Sequence, residues 1–243
     1  KSEIIVNCNN KMNYNAFTPG SRDFALGLRY LKKLESQSNF SYISCNLYDK
    51  ENRERLFDPY KIENYDGFKV AYIGAASSFQ KDSILIREPI SEIKKIYNKV
   101  SSEADFVIVL FNGTKPDMDR LSKSGIGIDL ILRSGGSSRA SENGGNGTTP
   151  IYEAGNKGKY LNKINIALSE IDADLIDIDL LQKKIKQSEK HIKNKKLGNP
   201  NADLDEMYKD KPKILDTINS HRDIVRVSNT KINNAKNTLN TKK

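Results

Sequence analysis

"ADFVIVLFNGTKPD", residues 104–117, holds six consecutive apolar residues, Phe106–Phe111, closed by Asn112 and Gly113. A short, almost wholly apolar run bounded by turn formers reads as a strand in a sheet covered on both faces, which is the setting of parallel strands. Reading outward, "FKVAYIGAAS" (68–77) is a β-rich run that ends in small residues, and Pro89 opens a helix over "ISEIKKIYNKV" (90–100). Proline suits a first helical turn because its missing N–H has no partner there in any case. Downstream, "DMDRLSKSG" (117–125) reads as a short helix stopped by glycine, and "IDLILRS" (128–134) as another buried strand. Strands alternating with helices predict an α/β sandwich with a largely parallel sheet.

The pattern extends to both sides. Residues 1–12 place Ile4, Ile5, Cys8 and Met12 at helical spacing. A strand over Tyr14–Thr18, a helix over Leu26–Leu34 and a strand in "FSYISCNLY" (40–48) follow. "GGSSRASENGGNGTTP" (135–150) is a polar, glycine-rich loop, and "IYEAG" and "KYLNKINIAL" are expected to form a hairpin through "NKG". The domain boundary is set at 169. Residues 170–243 read as a helical hairpin. Leu181, Ile185, Ser188 and Ile192 mark its first helix. Ile214, Ile218, His221, Val225, Ser228, Ile232, Ala235 and Leu239 mark the second at alternating spacings of four and three. That seam contains a His and a Ser, so it is a weak one.

The chain has 243 residues, 37% of them hydrophobic, and a net charge of +9. The excess is spread out, since residues 169–243 carry 16 Lys and Arg against 12 Asp and Glu. One run stands apart: "KKIKQSEKHIKNKK" (183–196) has seven lysines and one glutamate. It reads as a solvated helix face or as a surface for anions, without the interleaved aromatics that base stacking needs. Sequence-specific nucleic-acid binding is not expected. Cys8 and Cys45, with no CxxC and no nearby His, fit neither a zinc site nor a redox motif of usual spacing. They read as buried free thiols, with a disulfide as the alternative in an oxidising compartment. No run approaches the ~20 apolar residues of a membrane span. The chain opens without a signal peptide or initiating Met, which reads as processing or truncation.

"YNAFTPGSRDFALGLRYLKKL" (14–34) adds a tight corner, Gly20-Ser21-Arg22-Asp23, between a strand and a helix. Ligands of α/β proteins bind at such strand ends. Several stretches together resemble the 5′-nucleotidase branch of the calcineurin-like metallophosphoesterases. The corner is similar to that family's "YDAxxxGNHEFDxGxxxL", "FSYISCNLYD" to "FPxLxANxxD", and "FKVAYIGAAS" to "xKVGxIGxxx". Further on, "ADFVIVLFNGTKPD" is similar to "ADxVIxLxHxGxxxD", "SGIGIDLILRSGGS" to "xGIDxIxxGHSH", and "PIYEAGNKGKYLNKINIAL" to "PIxQAGxxGxYLGxxxL". The resemblance covers about 160 residues in family order. It implies a metallophosphoesterase-like αββα sandwich over residues 1–169, with the family's two earliest motifs outside this chain and helices where a substrate domain stands.

The same resemblance implies a dinuclear metal site and shows where this sequence departs from it. Family ligand or acid positions fall on Ser21, Arg22, Asn112, Gly135 and Ser137. Loss of three imidazoles and an Asn ligand leads to the expectation of no metal, no cofactor and no enzyme. The chain is then a structural or interaction protein whose helices, through Ile214, Ile218, Val225, Ile232 and Leu239, meet a protein partner or a second copy. The alternative is a residual phosphoesterase with an altered site, drawing on Asp117, Asp119 and Asp129. A third course is anion binding by Arg22 and Ser21, by a backbone nest at Ser134–Ser138, or by the lysine run. Arg22 and Asp23 are expected to pair with each other or with neighbours as a structural corner. The resemblance also implies a periplasmic or extracellular location.

Overall fold

The computed structural model describes residues 1–135, 141–142, 149–155, 161, 163–170 and 173–242, with the backbone alone at 141, 142 and 242. The chain divides into two compact units, Lys1–Leu161 and Asn162–Lys243. The divide falls earlier in the chain than residue 169, because the strand at 163–167 belongs to the second unit.

In the first unit the elements run α1 (Ser2–Lys11), β1 (Ala16–Phe17), α2 (Leu28–Ser36), β2 (Ser41–Tyr42), β3 (Leu47–Asp49), β4 (Tyr60–Tyr65), β5 (Phe68–Ala76) and β6 (Ile84–Ile86). They continue with α3 (Pro89–Val100), β7 (Phe106–Asn112), α4 (Lys115–Ser122), β8 (Leu130–Ser134), β9 (Ser141–Glu142) and β10 (Ile151–Glu153). The main sheet has the order β4-β5-β7-β8-β10-β9. Its centre, β5-β7-β8-β10, is parallel, and β4 and β9 pair antiparallel at the two edges. This is the α/β architecture that the apolar run at 106–111 predicts.

Alternation along β7 decides what faces what. Val107, Val109 and Phe111 enter a core with Ala71, Ile73, Ala75, Ile131 and the inner faces of α3 and α4, namely Ile93, Ile96, Met118 and Leu121. Burying each large apolar side chain of this set stabilises the fold by about 1.5–3 kcal/mol. Period-two geometry then puts Asn112 on the opposite face, at the carboxyl end of the strand. Pro89 stands at the start of α3 as expected, with the Glu88 side chain accepting from the Ser91 N–H. A second core joins Phe24, Leu31, Phe40, Tyr42, Leu47, Leu56 and Phe57.

The second unit contains β11 (Lys163–Ala167), β12 (Leu175–Asp177), α5 (Ile178–Lys195), α6 (Leu204–Met207), α7 (Pro212–Asn233) and β13 (Asn237–Lys242). Helices α5 and α7 form the expected hairpin, with Ser188 and Ser228 buried between flanking apolar residues. Two expectations fail here. The strands at 151–153 and 163–167 do not form a hairpin, since β10 pairs with β8 and β9 while β11 pairs with β13. The helical seam does not reach Leu239: α7 ends at Asn233, and Leu239 lies fully buried in β13, opposite Ile166 of β11 and Asp177 of β12. The helices are therefore framed by strands. Asn237 fixes this frame by accepting from the Ser169 and Glu170 N–H groups and donating to the Ala173 carbonyl. Asp179, in the first turn of α5, accepts from the Thr241 N–H and hydroxyl.

Candidate functional site

Residues 20–26 turn sharply because Phe24 is drawn fully into the second core. Ser21 and Arg22 are left exposed on the outside of the bend. Arg22 and Asp23 do not pair. The pairing is with a neighbour instead: Asp23 Oδ2 accepts from the Gly20 N–H at 2.7 Å, closing the turn on itself, and the Arg22 side chain has no hydrogen bond or ion pair among the described residues. Burial pushes the Asp23 carboxyl above the usual carboxylate range, and the Gly20 N–H offsets only part of that shift.

The corner meets the ends of two strands. A Cβ on Gly20 would lie 2.1 Å from Asn112 Oδ1, so only glycine allows the Asn112 amide to lie against the turn. From the other side, Gly135 approaches with φ +80°, where a Cβ would stand 3.0 Å from the same oxygen. Gly20, Asn112 and Gly135 are thus brought together at the carboxyl ends of β7 and β8, with Ser21 and Arg22 one and two residues beyond. Ser137 and Ser138 lie outside the described residues. Of the expected nest, Ser134 uses its carbonyl to accept from the Gly113 N–H at 3.0 Å.

The loop after Asn112 is held by groups the sequence reading missed. Ser77, the last residue of "FKVAYIGAAS", accepts from the Thr114 N–H and donates to Asp117 Oδ2 at 2.7 Å. Asp117 also takes the Thr114 hydroxyl and Arg120. Arg133 donates to the Gly113 carbonyl and pairs with Glu153 at 2.8 Å, both side chains nearly buried. Asn46, from "SCNLYD", clasps the end of β5 by bonding both the Ala76 N–H and its carbonyl. Asp117 therefore anchors a loop. Asp119 pairs with Lys115 on the surface of α4, and Asp129 accepts from the Val107 N–H at 2.8 Å, its pKa raised by burial. The three carboxylates do not converge. Thr18 Oγ1 is buried with no partner among the described residues.

Cys8 and Cys45 are both free, which leaves out the disulfide; Cys8 is exposed, so the expectation of two buried thiols holds only for Cys45. Burial pushes the Cys45 thiol up to about 12. Ile4, Ile5 and Met12 are also exposed, and α1 is seated through Val6 instead. In the second unit the His191 and His221 rings stack at 4.6 Å, with His221 Nδ1 at 3.2 Å from the Ser188 hydroxyl. Ile218 is buried, while Ile214, Val225 and Ile232 are half-buried.

The family site would need two divalent cations, and the donor set tests that. Asn112 offers one amide oxygen, Gly135 no side chain, Arg22 a positive charge, and Asp23 is engaged by Gly20. Among the described residues no three His, Cys, Asp or Glu side chains form a metal-binding group. These residues do not by themselves compose a dinuclear centre. No helix among the described residues is long and apolar enough to cross a membrane.

No protein-family model matches the chain. The 5′-nucleotidase of Vibrio parahaemolyticus is 32% identical over 103 residues, which is 36% of this chain and 18% of that protein. The chain thus matches less than a fifth of that relative's length. Among solved structures, the calcineurin-like phosphoesterase YfkN of Bacillus subtilis has a TM-score of 0.60 at 22% identity, covering 70% of this chain and 63% of its own. A 5′-nucleotidase of Staphylococcus aureus has a TM-score of 0.58 at 17% identity, over 69% and 37%. These likenesses correct the expectation that the chain is no enzyme. Relatives and neighbours carry the names of nucleotidases and phosphoesterases, which points to an enzyme, and the donor count of the described residues weighs little against that. Over about 70% of its length the chain has the fold of the calcineurin-like phosphoesterases, and the proteins that its sequence resembles include 5′-nucleotidases.

Proposed function

We propose that the first unit is a phosphoesterase domain of the 5′-nucleotidase kind with an altered site, acting on phosphate monoesters that bind at the Gly20–Asn112–Gly135 corner. The observation that carries this reading is the exposed guanidinium of Arg22, unpaired among the described residues, at a strand-end corner where two glycines and an asparagine converge. A planar guanidinium donates two parallel N–H groups to phosphate oxygens. The Asn112 amide and the Ser21 hydroxyl add neutral donors. Such groups stabilise the charge that builds on the transferring phosphoryl oxygens, and removing one oxyanion donor costs about a hundred-fold or more in turnover. The Ser77–Asp117–Arg133 scaffold fixes the loop that carries Asn112, which reduces the reorganisation needed on binding. An extracytoplasmic location is part of this proposal and rests on the family resemblance.

The test is hydrolysis of nucleoside monophosphates and of an aryl phosphate, each with added Mg, Mn or Zn salts. Turnover should exceed the buffer blank and fall about a hundred-fold in Arg22→Ala. Turnover equal to the blank under every metal, or a rate indifferent to Arg22→Ala, overturns the reading.

A further inference from the structure

The lysine run falls on α5, and its placement there is specific. Leu181, Ile185, Ser188 and Ile192 turn toward α7. Lys183, Lys186, Lys190 and Lys193 recur at spacings of three, four and three on the opposite side, all exposed. Helical geometry sets these four ammonium groups along one stripe about 15 Å long. Among the described residues none of them has an ion pair or hydrogen bond. The arginines of α7 behave differently, since Arg222 pairs with Asp205 and Arg226 with Asp223. Glu189, the one acid of the run, borders the stripe, one turn before Lys193 and about 40° round from it.

Four residues past Lys193 in the chain, just beyond the end of α5, comes an exposed apolar side chain. Leu197 is 72% exposed and is held outward in the left-handed region, φ +49°, followed by Gly198 at φ +86°. A left-handed leucine is uncommon and strained. The bend is fixed from behind by Tyr208, whose hydroxyl donates to the Lys195 carbonyl, and by the buried Leu204, Tyr208 and Ile218. The exposed leucine is therefore presented by a built tip.

We propose that this side of α5 docks on a bilayer surface carrying anionic phospholipid, with the lysines over the headgroups and Leu197 entering the acyl boundary. Charge complementarity and the adjoining apolar tip favour a lipid surface over a nucleic acid. A phosphate backbone gives an exposed leucine nothing to bury in, and α5 carries no Phe, Tyr or Trp on which bases stack. Lysines act as point charges suited to mobile headgroups, whereas the forked geometry of arginine suits a fixed phosphate.

The experiment is co-sedimentation of the full chain with phosphatidylcholine vesicles, and with vesicles one-third phosphatidylglycerol, at low and at physiological salt. Binding should require the anionic lipid and weaken with salt. The combined change K183Q, K186Q, K190Q and K193Q should lower it more than about a hundred-fold, at about five-fold per lysine. Leu197→Asn should lower it several-fold without unfolding, because asparagine tolerates the left-handed region. Circular dichroism verifies that the variants keep their helices. Equal binding to neutral vesicles, undiminished binding by the lysine variant, or binding to duplex DNA or polyglutamate with none to vesicles overturns the proposal.

Discussion

Replacing the Gly20 hydrogen by a methyl group would set a Cβ 2.1 Å from Asn112 Oδ1 and 2.5 Å from its Nδ2. The obstacle is a side chain, so the amide swings away and the strands stay in place. Gly20→Ala should cost about 1–3 kcal/mol, the usual range for overpacking. Most of that cost should vanish in an Asn112→Ala background, and a double-mutant cycle in urea should give a coupling of about 1 kcal/mol or more. Additive single effects would mean that the two residues do not compete for one space. Asp23 tests the same corner through pH. Its carboxyl is raised by burial, so its contribution to stability is present below the unfolded value, about 3.9, and is lost as pH rises through the folded value. Asp23→Asn retains an oxygen for the Gly20 N–H and removes the buried charge. The melting temperature of the variant relative to the parent should therefore rise between about pH 4 and about pH 7. A constant difference across that range would show that the Asp23 charge costs the fold nothing.

At the scale of elements, legibility followed the distance over which each element is determined. β5, β7, β8 and α3 could be read from the sequence because their signals are local: an apolar run, a proline at a helix start, a glycine after a strand. The α5–α7 hairpin was legible down to its polar positions, and Ser188 and Ser228 are indeed buried. The end of α7 was not. Ile232, Ala235 and Leu239 keep a helical spacing, yet Leu239 is claimed by β11, whose Asn165 bonds Asn240 from 75 residues away. No local pattern announces a strand whose partner is so remote, and tertiary pairing overrides propensity there. The same reason hid the true partner of β11, since a turn-like "NKG" invites a hairpin that the sheet does not form. At the corner, the family resemblance put Ser21, Arg22, Asn112 and Gly135 at one site, while the close approach of Gly20 to Asn112 was not foreseen. The loop anchors Ser77 and Asp117 were not legible, because their bond spans 40 positions in the chain and belongs to no short motif.

At the scale of the whole chain, the two units have separate cores. Ile73, Val109 and Ile131 hold the first, and Leu204, Tyr208, Ile218 and the β13 leucine hold the second. Units built on separate cores unfold as separate cooperative blocks, which departs from two-state behaviour. Calorimetry of the full chain should therefore resolve two transitions. Leu239→Asp places a carboxylate at a fully buried position between Ile166 and Asp177. It should cost the second unit several kcal/mol, enough to abolish a marginal unit. Ile232→Asp, at a half-buried position near the end of α7, should only lower the second unit's transition. In both variants the transition of the first unit and the phosphatase rate at the corner should stay as in the parent. A single transition that Leu239→Asp shifts as a whole would show that the units fold as one block, and a phosphatase rate lost along with β13 would tie the corner's function to the second unit.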